Sequence, residues 1–514
     1  MLFNSYSFIF AYLPITLLVF FAIGRQSPRL ASMWLTVASF AFYGWWNPKL
    51  VFLLFLSILF NFTFGTKLAD LYKEGQGRRK TSILTLGVSV NLLLLAYYKY
   101  SFFFISNLND AFGTSYHIQE IILPIGISFF TFTQIAFLVD ASQGLVKEYD
   151  FIHYCLFVTY FPHLIAGPVL HHKEMMPQFS CPQTYRLNYD NIAIGLTIFI
   201  IGLFKKLVLA DNASVYATPV FEAAEKGINV TTLEAWGGAL AYTFQIYFDF
   251  SGYTDMAIGS SRMFGVKLPI NFFSPYKATS IIDFWRHWHM SLSRFLRDYL
   301  YIPLGGNRRG KVRRYINLMV TMLLGGLWHG ANWTFVVWGC LHGLFLIINH
   351  ACQNIYGRLV YPFEKHSVIS TFISHCITFI SVVFAWVFFR SDSLQSANIV
   401  IRGMLGFNGT ALPWKWVEDS DQNTFIQWLF SIGFRTAYND KLFDGDPELR
   451  VLFILLFICL FLPNTEEIFS CNRLSINDMW IWKPNKYWLF FTVLVGFLAI
   501  LSISDMSEFI YFQF

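Results

Sequence analysis

Runs of apolar residues, each near the length that crosses a lipid bilayer, recur along almost the whole chain. Several of the runs are short or are interrupted by Gly or Pro. A spanning helix needs about 20 apolar residues, so the pattern predicts about 11–13 membrane helices, some of them short or re-entrant. The runs lie near 7–24, 31–47, 50–66, 82–98, 120–140, 151–168, 191–209, 235–258, 315–327, 332–349, 370–389, 450–463 and 485–503.

The composition agrees with a chain whose surroundings are largely lipid. Of 514 residues, 55% are hydrophobic and 13% are charged, whereas soluble chains carry roughly 25% charged residues. No soluble domain, linker or internal repeat is evident. We therefore predict one all-α polytopic domain over 1–514. Because no basic segment precedes the first apolar run, we expect a retained membrane helix there rather than a cleaved signal peptide.

The positions of Lys and Arg predict the orientation. The net charge is +6, and short loops rich in Lys and Arg face the cytoplasm. No lysine-rich tail or nucleic-acid module is present, so we expect no nucleic-acid partner. The segment 391–449 has mixed charge and several Trp residues, which predicts an interfacial loop. The predicted cytoplasmic clusters are Arg25 with Arg29, 73–80, and 308–314.

The segment 280–300 has a different pattern, in which apolar residues share one arc of a helix and charged residues the other. This spacing predicts an amphipathic helix on the cytoplasmic face of the membrane. His289 lies at the border between the two faces. A simple membrane-surface anchor fits the pattern equally well. The apolar arc contains Ile281, Phe284, Trp285, Trp288, Leu292, Phe295, Leu296 and Tyr299, and the polar arc Asp283, Arg286, Ser293, Arg294 and Arg297.

His329 is the strongest candidate for chemistry because it lies in the apolar segment LLGGLWHGANW. An ionisable side chain at membrane depth indicates function, and a histidine suits a general base near neutral pH. A histidine that is only hydrogen-bonded between helices is an equally good interpretation. His342 follows 13 residues later, about 20 Å away in a continuous helix, and we expect it to be a packing residue.

Other kinds of site are disfavoured. No two histidines are three or four residues apart, so no helix face offers paired metal ligands. The seven cysteines form no CxxC motif, and we predict no metal or disulfide. Nucleophile-elbow and P-loop motifs are absent from the sequence. Asp249 and Asp255 lie inside an apolar run, where we expect a structural role.

The chain ends in FIYFQF, an unusually apolar terminus in which the hydroxyl of Tyr511 is the reactive group. We therefore treat 504–514 as a tail that docks into a groove. On the pattern alone, an interfacial aromatic anchor is the favoured interpretation.

Several segments together resemble the membrane-bound O-acyltransferase (MBOAT) family, in particular the branch of the alginate O-acetyltransferase membrane subunit. The resemblance covers most of the chain, and FIYFQF also resembles the aromatic FxYxxF ending of surface-polymer acyltransferases of this family. The matching segments are LPIGISFFTFTQIAFLVD (123–140), FPHLIAGPV (161–169), QIYFDFSGYTDMAIG (245–259), DFWRHWHMSLSRFLRDYLYIPLGGNRRG (283–310) and LLGGLWHGANWTFVVWGCLHG (323–343).

The resemblance implies a ring of tilted helices around a thin centre, with a cytoplasmic funnel that ends near the catalytic histidine. The WHG motif with Trp328 maps that histidine onto His329, and the RHWH segment maps a second family position onto His289. Family members take an acyl group from a cytoplasmic thioester, such as acetyl-CoA or a carrier-protein pantetheine. An extracytoplasmic SGNH-type partner often completes the transfer. GPVLHHKE departs from the family, since relatives often have an Arg where this chain has a His pair.

We therefore predict an O-acyltransferase of a bacterial inner membrane that moves an acyl group, by expectation acetyl, toward a cell-surface polysaccharide. His329 is the expected general base, His289 its assistant, and Asn332, one helical turn on, the residue that orients the His329 ring. Tyr511 is the expected acyl relay. No bound cofactor is expected, and the basic side chains Arg286, Arg294 and Arg297 are expected to attract the anionic donor.

Two other functions fit the sequence. A polysaccharide or ion transporter suits helices interrupted by Gly and carboxylates within them, although no inverted repeat is visible. A non-catalytic scaffold of an export complex is the second, and it would leave His329 without a purpose. The acceptor glycan cannot be named from the sequence.

Overall fold

The computed structural model is almost entirely helical, which confirms the predicted fold class. It describes all residues except 120, 148, 166, 360–367, 414–415, 418–423, 437–441, 444, 470–479, 504–508 and 511–514, and it also leaves out the side chains of 354–359, 425–426 and 436. The described β structure is one parallel pair, β1 (Ala411–Leu412) with β2 (Arg435–Thr436). The α-helices are α1 (Leu13–Gly24), α2 (Pro28–Gly44), α3 (Pro48–Lys73), α4 (Gly77–Leu95), α5 (Ser101–Phe112), α6 (Ile127–Ser142), α7 (Phe151–Thr159), α8 (Phe161–Leu164), α9 (His172–Phe179), α10 (Tyr189–Phe204), α11 (Asp211–Glu225), α12 (Thr232–Met263), α13 (Ile281–His287), α14 (Met290–Leu296), α15 (Lys311–His329), α16 (Trp333–Leu359), α17 (Val368–Arg390), α18 (Leu394–Met404), α19 (Thr424–Ser431), α20 (Asp446–Phe461), α21 (Thr465–Phe469) and α22 (Lys486–Leu501).

Short turns of other helix types join some of these elements. π-helical turns connect α4 to α5 and α10 to α11 without a break, so each pair forms one long rod. A π-helical turn accommodates an extra residue, and such turns are frequent at functional sites. The π turns are Phe8–Tyr12, Ala96–Tyr100, Lys205–Ala210 and Arg297–Tyr301, and the 3-10 turns are Pro182–Tyr185 and Pro275–Lys277.

Helix α12 lies at the centre of the fold, and most of its side chains are buried. Thr231 and Glu234 close its first turn with a reciprocal capping box. Glycines let α10 approach it at backbone distance, because a Cβ on Gly202 would lie 2.5 Å from the Gly252 carbonyl oxygen. Helices α11, α17, α18 and α20 also pack against α12.

Five stretches of the described helices are long and apolar enough to cross a membrane, and three shorter apolar helices accompany them. These helices indicate a multi-pass integral membrane protein. The five long stretches are Pro48–Lys73, Gly77–Phe112, Tyr189–Glu225, Trp333–Gln353 and Val368–Arg390, and the shorter helices are Phe8–Gly24, Ile127–Ser142 and Lys486–Leu501.

The predicted single span over 151–168 is wrong. The helix stops after Thr159, and a second short helix begins at Phe161. Pro162 explains the break, because its ring nitrogen has no hydrogen to continue the helical ladder and its ring clashes with the preceding turn.

The single amphipathic helix expected over 280–300 is also wrong. The segment forms α13 and α14, separated by a kink at Trp288 and His289, and its last turn is π-helical. The predicted apolar arc is largely buried, but it packs on protein rather than lipid: Trp288 is 1% exposed and stacks on the Phe284 ring.

Within 391–449, the segment predicted to be interfacial, α18 packs against the core helix. Its Val400 is fully buried, and Trp236 of α12 donates an indole hydrogen bond to the Met404 carbonyl at the end of α18.

Candidate active site

His329 is the last residue of α15, at the tip of a tight hairpin with α16. The chain is fully extended at Gly330, where a Cβ would lie 2.1 Å from the Phe335 ring. Gly326 permits the two helices to touch, because a Cβ there would lie 2.3 Å from the Phe335 carbonyl oxygen. The glycines therefore end the helix at the histidine and fold the chain back over it.

His289 lies in the kink between α13 and α14, with its backbone in the left-handed region at φ 42. A non-glycine residue held there stores strain, which is common at functional sites. The side chain is buried, and its Nδ1 lies 3.0 Å from the Oδ1 of Asn271. Since the amide oxygen only accepts, Nδ1 carries the proton and Nε2 is the basic nitrogen.

The structure brings the two predicted histidines together. The ring centroids of His289 and His329 are 6.5 Å apart. Trp328 packs beside both, 6.2 Å from His289 and 4.9 Å from His329. Trp338 covers another edge of the His329 ring, at 5.1 Å. The pair lies in an aromatic wall that excludes water from most directions.

His342 is closer to this pair than a continuous helix would permit. The hairpin turns the chain back, so Trp338 contacts both His329 and His342. His342 accepts a hydrogen bond from Trp285 Nε1 at 3.2 Å. This contact fits the packing role expected for His342.

A cavity of about 660 Å³ reaches His329. Its walls come from the first residues of the chain, the start of α6 and the loop before it, and the end of α15. Met1, Trp45, Ile125, Phe129, Lys99 and Trp328 are among the lining residues. We call it the His329 cavity.

A second cavity of about 550 Å³ lies at the other end of α6, beside Asp140, His171, His172 and Tyr299. We call it the Asp140 cavity. Because the residues of α6 that line the two cavities are 10–13 positions apart, the cavities are separated by about 15–20 Å along its axis. Gly144, which follows α6, lies against the Tyr72 ring next to the basic 73–80 loop.

The polar groups of the Asp140 cavity bond to one another. Tyr299 donates to the Asp140 carboxylate at 2.9 Å, His172 Nδ1 lies 3.0 Å from that carboxylate, and His171 Nδ1 lies 3.0 Å from the Tyr299 hydroxyl. Burial lowers the pKa of His171, so the ring is neutral at neutral pH. Burial and the Asp140 charge raise the pKa of Tyr299, so its hydroxyl stays a donor.

A column of aromatic rings occupies the space between the two cavities. Phe132 stacks on Trp328 at 5.3 Å and on Phe295 at 4.3 Å, and Phe295 contacts Tyr299 at 5.0 Å. Ala136, Val169 and Leu292 pack around these rings. The funnel expected from the basic side is therefore not continuous: the cavity that reaches His329 opens at the opposite end of α6.

Comparison with known proteins decides the family. The family model of MBOAT, the membrane-bound O-acyltransferase family, matches residues 40–389. This chain belongs to the membrane-bound O-acyltransferase family. It is thus an acyltransferase, and the transporter and scaffold alternatives are set aside.

Individual relatives of this acyltransferase agree with the family assignment, because each is named as an enzyme that transfers an acyl group. A peptidoglycan O-acetyltransferase of Helicobacter pylori is 40% identical over 100% of this chain and 98% of the relative. A probable alginate O-acetylase, AlgI, of Pseudomonas aeruginosa is 41% identical over 87% of this chain and 84% of the relative. A teichoic acid D-alanyltransferase of Streptococcus thermophilus is 29% identical over 45% of this chain and 58% of the relative.

Asn332 does not have the neighbourhood expected of it. Because α15 ends at His329, Asn332 is not one helical turn further on. Its Oδ1 accepts from the Thr334 N–H in the first turn of α16, and its Nδ2 donates to the Asp392 carbonyl at 2.7 Å. The residue caps α16 and connects it to the segment after α17, so the expectation that it orients the His329 ring is wrong.

The three arginines expected to attract the donor differ in their surroundings. Arg294 forms an ion pair with Glu174, and Arg297 forms one with Asp298 at 2.7 Å. Arg286 is exposed. The positive charge of this surface is therefore partly neutralised, and Arg286 and Arg297 are its accessible members.

Tyr511 lies outside the described residues, but the two residues before it are well placed. Phe509 stacks on Tyr253 at 4.4 Å and contacts Phe250 at 5.6 Å. Phe250 in turn contacts the His289 ring at 4.8 Å. The Ile510 N–H donates to Asp249 Oδ2 at 3.1 Å. The tail therefore enters the core one aromatic ring away from His289.

Buried ion pairs explain the two carboxylates of α12. Lys206 is 2.6 Å from Asp249 and 2.8 Å from Asp211, while Lys205 is 2.7 Å from Asp255. Both lysines belong to the π turn between α10 and α11. The structural role expected for Asp249 and Asp255 is confirmed, and Asp249 also holds the tail. Within the described residues, no group of three His, Cys, Asp or Glu side chains converges on a metal site.

Proposed function

We propose that this acyltransferase takes an acetyl group from a thioester at the cytoplasmic face of a bacterial inner membrane and passes it toward a glycan outside. The printed names of its relatives support an O-acetyl group and an envelope polymer: peptidoglycan in one case and alginate in another. The observation that carries the proposal is the pair of cavities at opposite ends of α6, with His329 lining one of them and His289 next to His329.

The basic loops assign a side to each cavity. The Asp140 cavity adjoins the 73–80 loop, and short basic loops face the cytoplasm. The Asp140 cavity is then the donor side, and the His329 cavity opens outward, where an acceptor arrives. Lys147 and Lys173 at the Asp140 cavity suit the phosphates of acetyl-CoA or of a carrier-protein pantetheine.

In the proposed reaction, a ring nitrogen of His329 acts as the base. A hydroxyl oxygen attacks the thioester carbonyl carbon while His329 takes the hydroxyl proton, and His289 supports it in the same water-poor pocket. The C–S bond then breaks, and His329 gives the proton that it took from the hydroxyl to the departing thiolate. No bound cofactor takes part. Trp328 holds both rings in place through its contacts.

Tyr511 is the proposed first acceptor. The support for this proposal is that Ile510 donates a hydrogen bond to Asp249 and that Phe250 contacts both Phe509 and His289, so the described part of the tail approaches the histidine pair. A phenyl ester is an activated ester, because the free phenol has a pKa of about 10 and phenoxide leaves readily. A partner of the SGNH type outside the membrane would then move the acetyl group to the glycan.

The test uses the purified chain with acetyl-CoA. Intact-mass analysis of the wild type should show an acetyl adduct on the C-terminal peptide. Tyr511→Phe removes one oxygen and retains the packing, so it should fold, bind donor and lack the adduct. Cells that carry this variant should also lose glycan acetylation.

Unchanged glycan acetylation in Tyr511→Phe would leave the tail as an apolar anchor. A wild-type protein that uses neither acetyl-CoA nor S-acetyl-pantetheine would refute the donor assignment. Tyr6→Phe is the matched control, since its hydroxyl bonds to the Ile503 carbonyl near the tail but carries no proposed acyl group.

A further inference from the structure

The end of α15 is held by a lysine and a tyrosine from a different part of the chain. Lys99 Nζ donates to the Trp328 carbonyl at 2.6 Å and to the His329 carbonyl at 3.0 Å. The neighbouring Tyr100 donates to the Leu327 carbonyl at 2.6 Å. Three consecutive carbonyl oxygens at the catalytic end of the helix are thus satisfied by two adjacent side chains.

These contacts supply hydrogen-bond donors to carbonyl groups at the end of α15. The last carbonyls of a helix have no partner within it, and a partial negative charge accumulates there. Gly330 is extended and does not close the helix with a left-handed cap. A cation and a hydroxyl at this end therefore stabilise it. The π turn Ala96–Tyr100 aims both side chains at the same helix end.

Capping of the helix end alone does not explain why the residue at position 99 is a lysine. Tyr100 satisfies its carbonyl without a charge, and a charge inside a membrane protein is costly and usually functional. An ammonium group has three N–H donors, and two are directed at the carbonyls of Trp328 and His329. Lys99 also lines the His329 cavity. Its third N–H is therefore available to a molecule bound there.

We propose that Lys99 is an oxyanion-stabilising residue that donates its third N–H to the thioester carbonyl oxygen at the reaction centre. The two carbonyl contacts fix the ammonium beside His329 before substrate arrives, so it needs no reorganisation during reaction. Preorganised donors of this kind act most strongly in pockets that exclude water. This inference rests on the proposed function, because it requires the thioester end of a donor bound at the Asp140 cavity to reach past the aromatic rings to His329 and Lys99.

The step balances as follows. As the hydroxyl oxygen bonds to the carbonyl carbon and His329 takes its proton, the carbonyl π electrons move to oxygen, and Lys99 donates a hydrogen bond to that oxyanion. Collapse restores C=O, breaks the C–S bond and releases the thiolate, which is protonated by His329. Lys99 gives up no proton and is unchanged at the end.

The principal variant is Lys99→Met, which preserves the length of the side chain and removes its charge and donors. With acetyl-CoA and wild-type tail, the turnover number should fall about 10²- to 10³-fold, while the KM for acetyl-CoA changes less than about threefold. Lys99→Arg retains a cation with several donors and should recover at least about tenfold of that loss.

Tyr100→Phe is the matched control. It removes a hydrogen bond to the same helix end and leaves the cavity charge unchanged, so its turnover should remain within about threefold of wild type. Equal losses in Tyr100→Phe and Lys99→Met would show that Lys99 acts only as a cap, and the proposal would be overturned.

Two analogues separate this role from a folding defect. The trifluoroacetonyl thioether of CoA forms a tetrahedral hydrate that resembles the intermediate, whereas ethyl-CoA resembles only the ground state. Lys99→Met should weaken binding of the trifluoroacetonyl thioether about tenfold or more. It should leave the affinity for ethyl-CoA unchanged. Equal weakening of both would refute the oxyanion role. If the wild type binds neither analogue, the donor assignment fails first, and this proposal falls with it.

Discussion

The two ends of α6 carry similar residues and use them differently. At the Asp140 end, two histidines, a tyrosine and an aspartate form a chain of contacts beside the cavity, in the order His171, Tyr299, Asp140 and His172. At the other end, His289 is held in a left-handed kink and His329 at a helix terminus. Trp328 Nε1 is buried there without a hydrogen-bond partner in the described part of the chain.

The two ends of α6 differ in what their polar residues are suited to do: those at the Asp140 end stabilise the fold, and those at the His329 end are suited to chemistry. Buried polar groups are normally paired, and a group that is not paired calls for an explanation. Most polar atoms of the Asp140 network are hydrogen-bonded, and the remaining one, His172 Nδ1, lies in an ion-pair contact with Asp140, so the network is suited to hold a binding pocket in shape. The His329 end stores backbone strain and presents polar atoms to a cavity, which suits a site that must accept a substrate.

The largest predicted difference concerns a histidine at each end. His329→Ala should abolish acyl transfer, by about 10³-fold or more, because the general base is lost. Expression and folding should stay near normal, since the ring lies against a cavity. His172→Gln, the matched change at the other end, should keep most of the turnover. Acetyl-CoA consumption by the purified variants measures both, and full glycan acetylation by His329→Ala would refute the assignment.

A second prediction compares the two buried ion pairs of α12. Asp249→Asn leaves the buried Lys206, and Asp255→Asn the partly buried Lys205, with less charge compensation; breaking a fully buried pair costs about 3–5 kcal/mol, and the partly exposed pair costs less. Both should lower thermal stability, but only Asp249 holds the tail through the Ile510 N–H. The acetyl adduct on the C-terminal peptide should therefore fall about tenfold in Asp249→Asn alone. Equal adduct levels in the two variants would contradict the role of Asp249.

A third prediction concerns the exposed arginines. Arg286→Gln with Arg297→Gln should raise the KM for the thioester about two- to fivefold, since exposed charges contribute up to about 1 kcal/mol. The effect should be larger at low salt, where screening is weak. Arg294→Gln is the comparison, because Arg294 is half-buried in its pair with Glu174, whereas Arg297 stays exposed although it pairs with Asp298. A KM that stays constant at every ionic strength would rule out recruitment by this surface.

The smallest effect on turnover is expected from Tyr299→Phe. It removes the hydroxyl between Asp140 and His171 and leaves a buried carboxylate with one partner fewer, which costs about 1–3 kcal/mol. Thermal unfolding should shift to lower temperature while turnover stays nearly unchanged. A large loss of turnover at full stability would mean that the Asp140 network takes part in the chemistry.

Helix content and the helix break at His329 could be predicted from the sequence because both are local signals. Apolar runs give spans, and a histidine flanked by glycines in such a run marks a break at membrane depth. The kink at His289 could not be predicted, since the apolar arc of 280–300 has unbroken helical periodicity. The strain there is imposed by Asn271, which holds both His289 and Ser291 from outside the segment.

Lys99 was missed for a similar reason. The apolar run ends at residue 98, so the lysine looks like the start of a loop. In the structure the rod continues through a π turn to Phe112, and the lysine lies within it. The available signal was a lone lysine between two apolar stretches in AYYKYSFFF. Its meaning depends on α15, which is more than 200 residues away.

The aromatic column between the cavities has an electrical consequence. An open water-filled passage from one cavity to the other would let ions cross, and each elementary charge that crosses releases about 2.3 kcal/mol per 100 mV of membrane potential. That path is filled by apolar rings, which exclude water and hydrated ions. The rings belong to Trp328, Phe132, Phe295 and Tyr299. An energised membrane can therefore hold many copies of this protein without dissipating its potential.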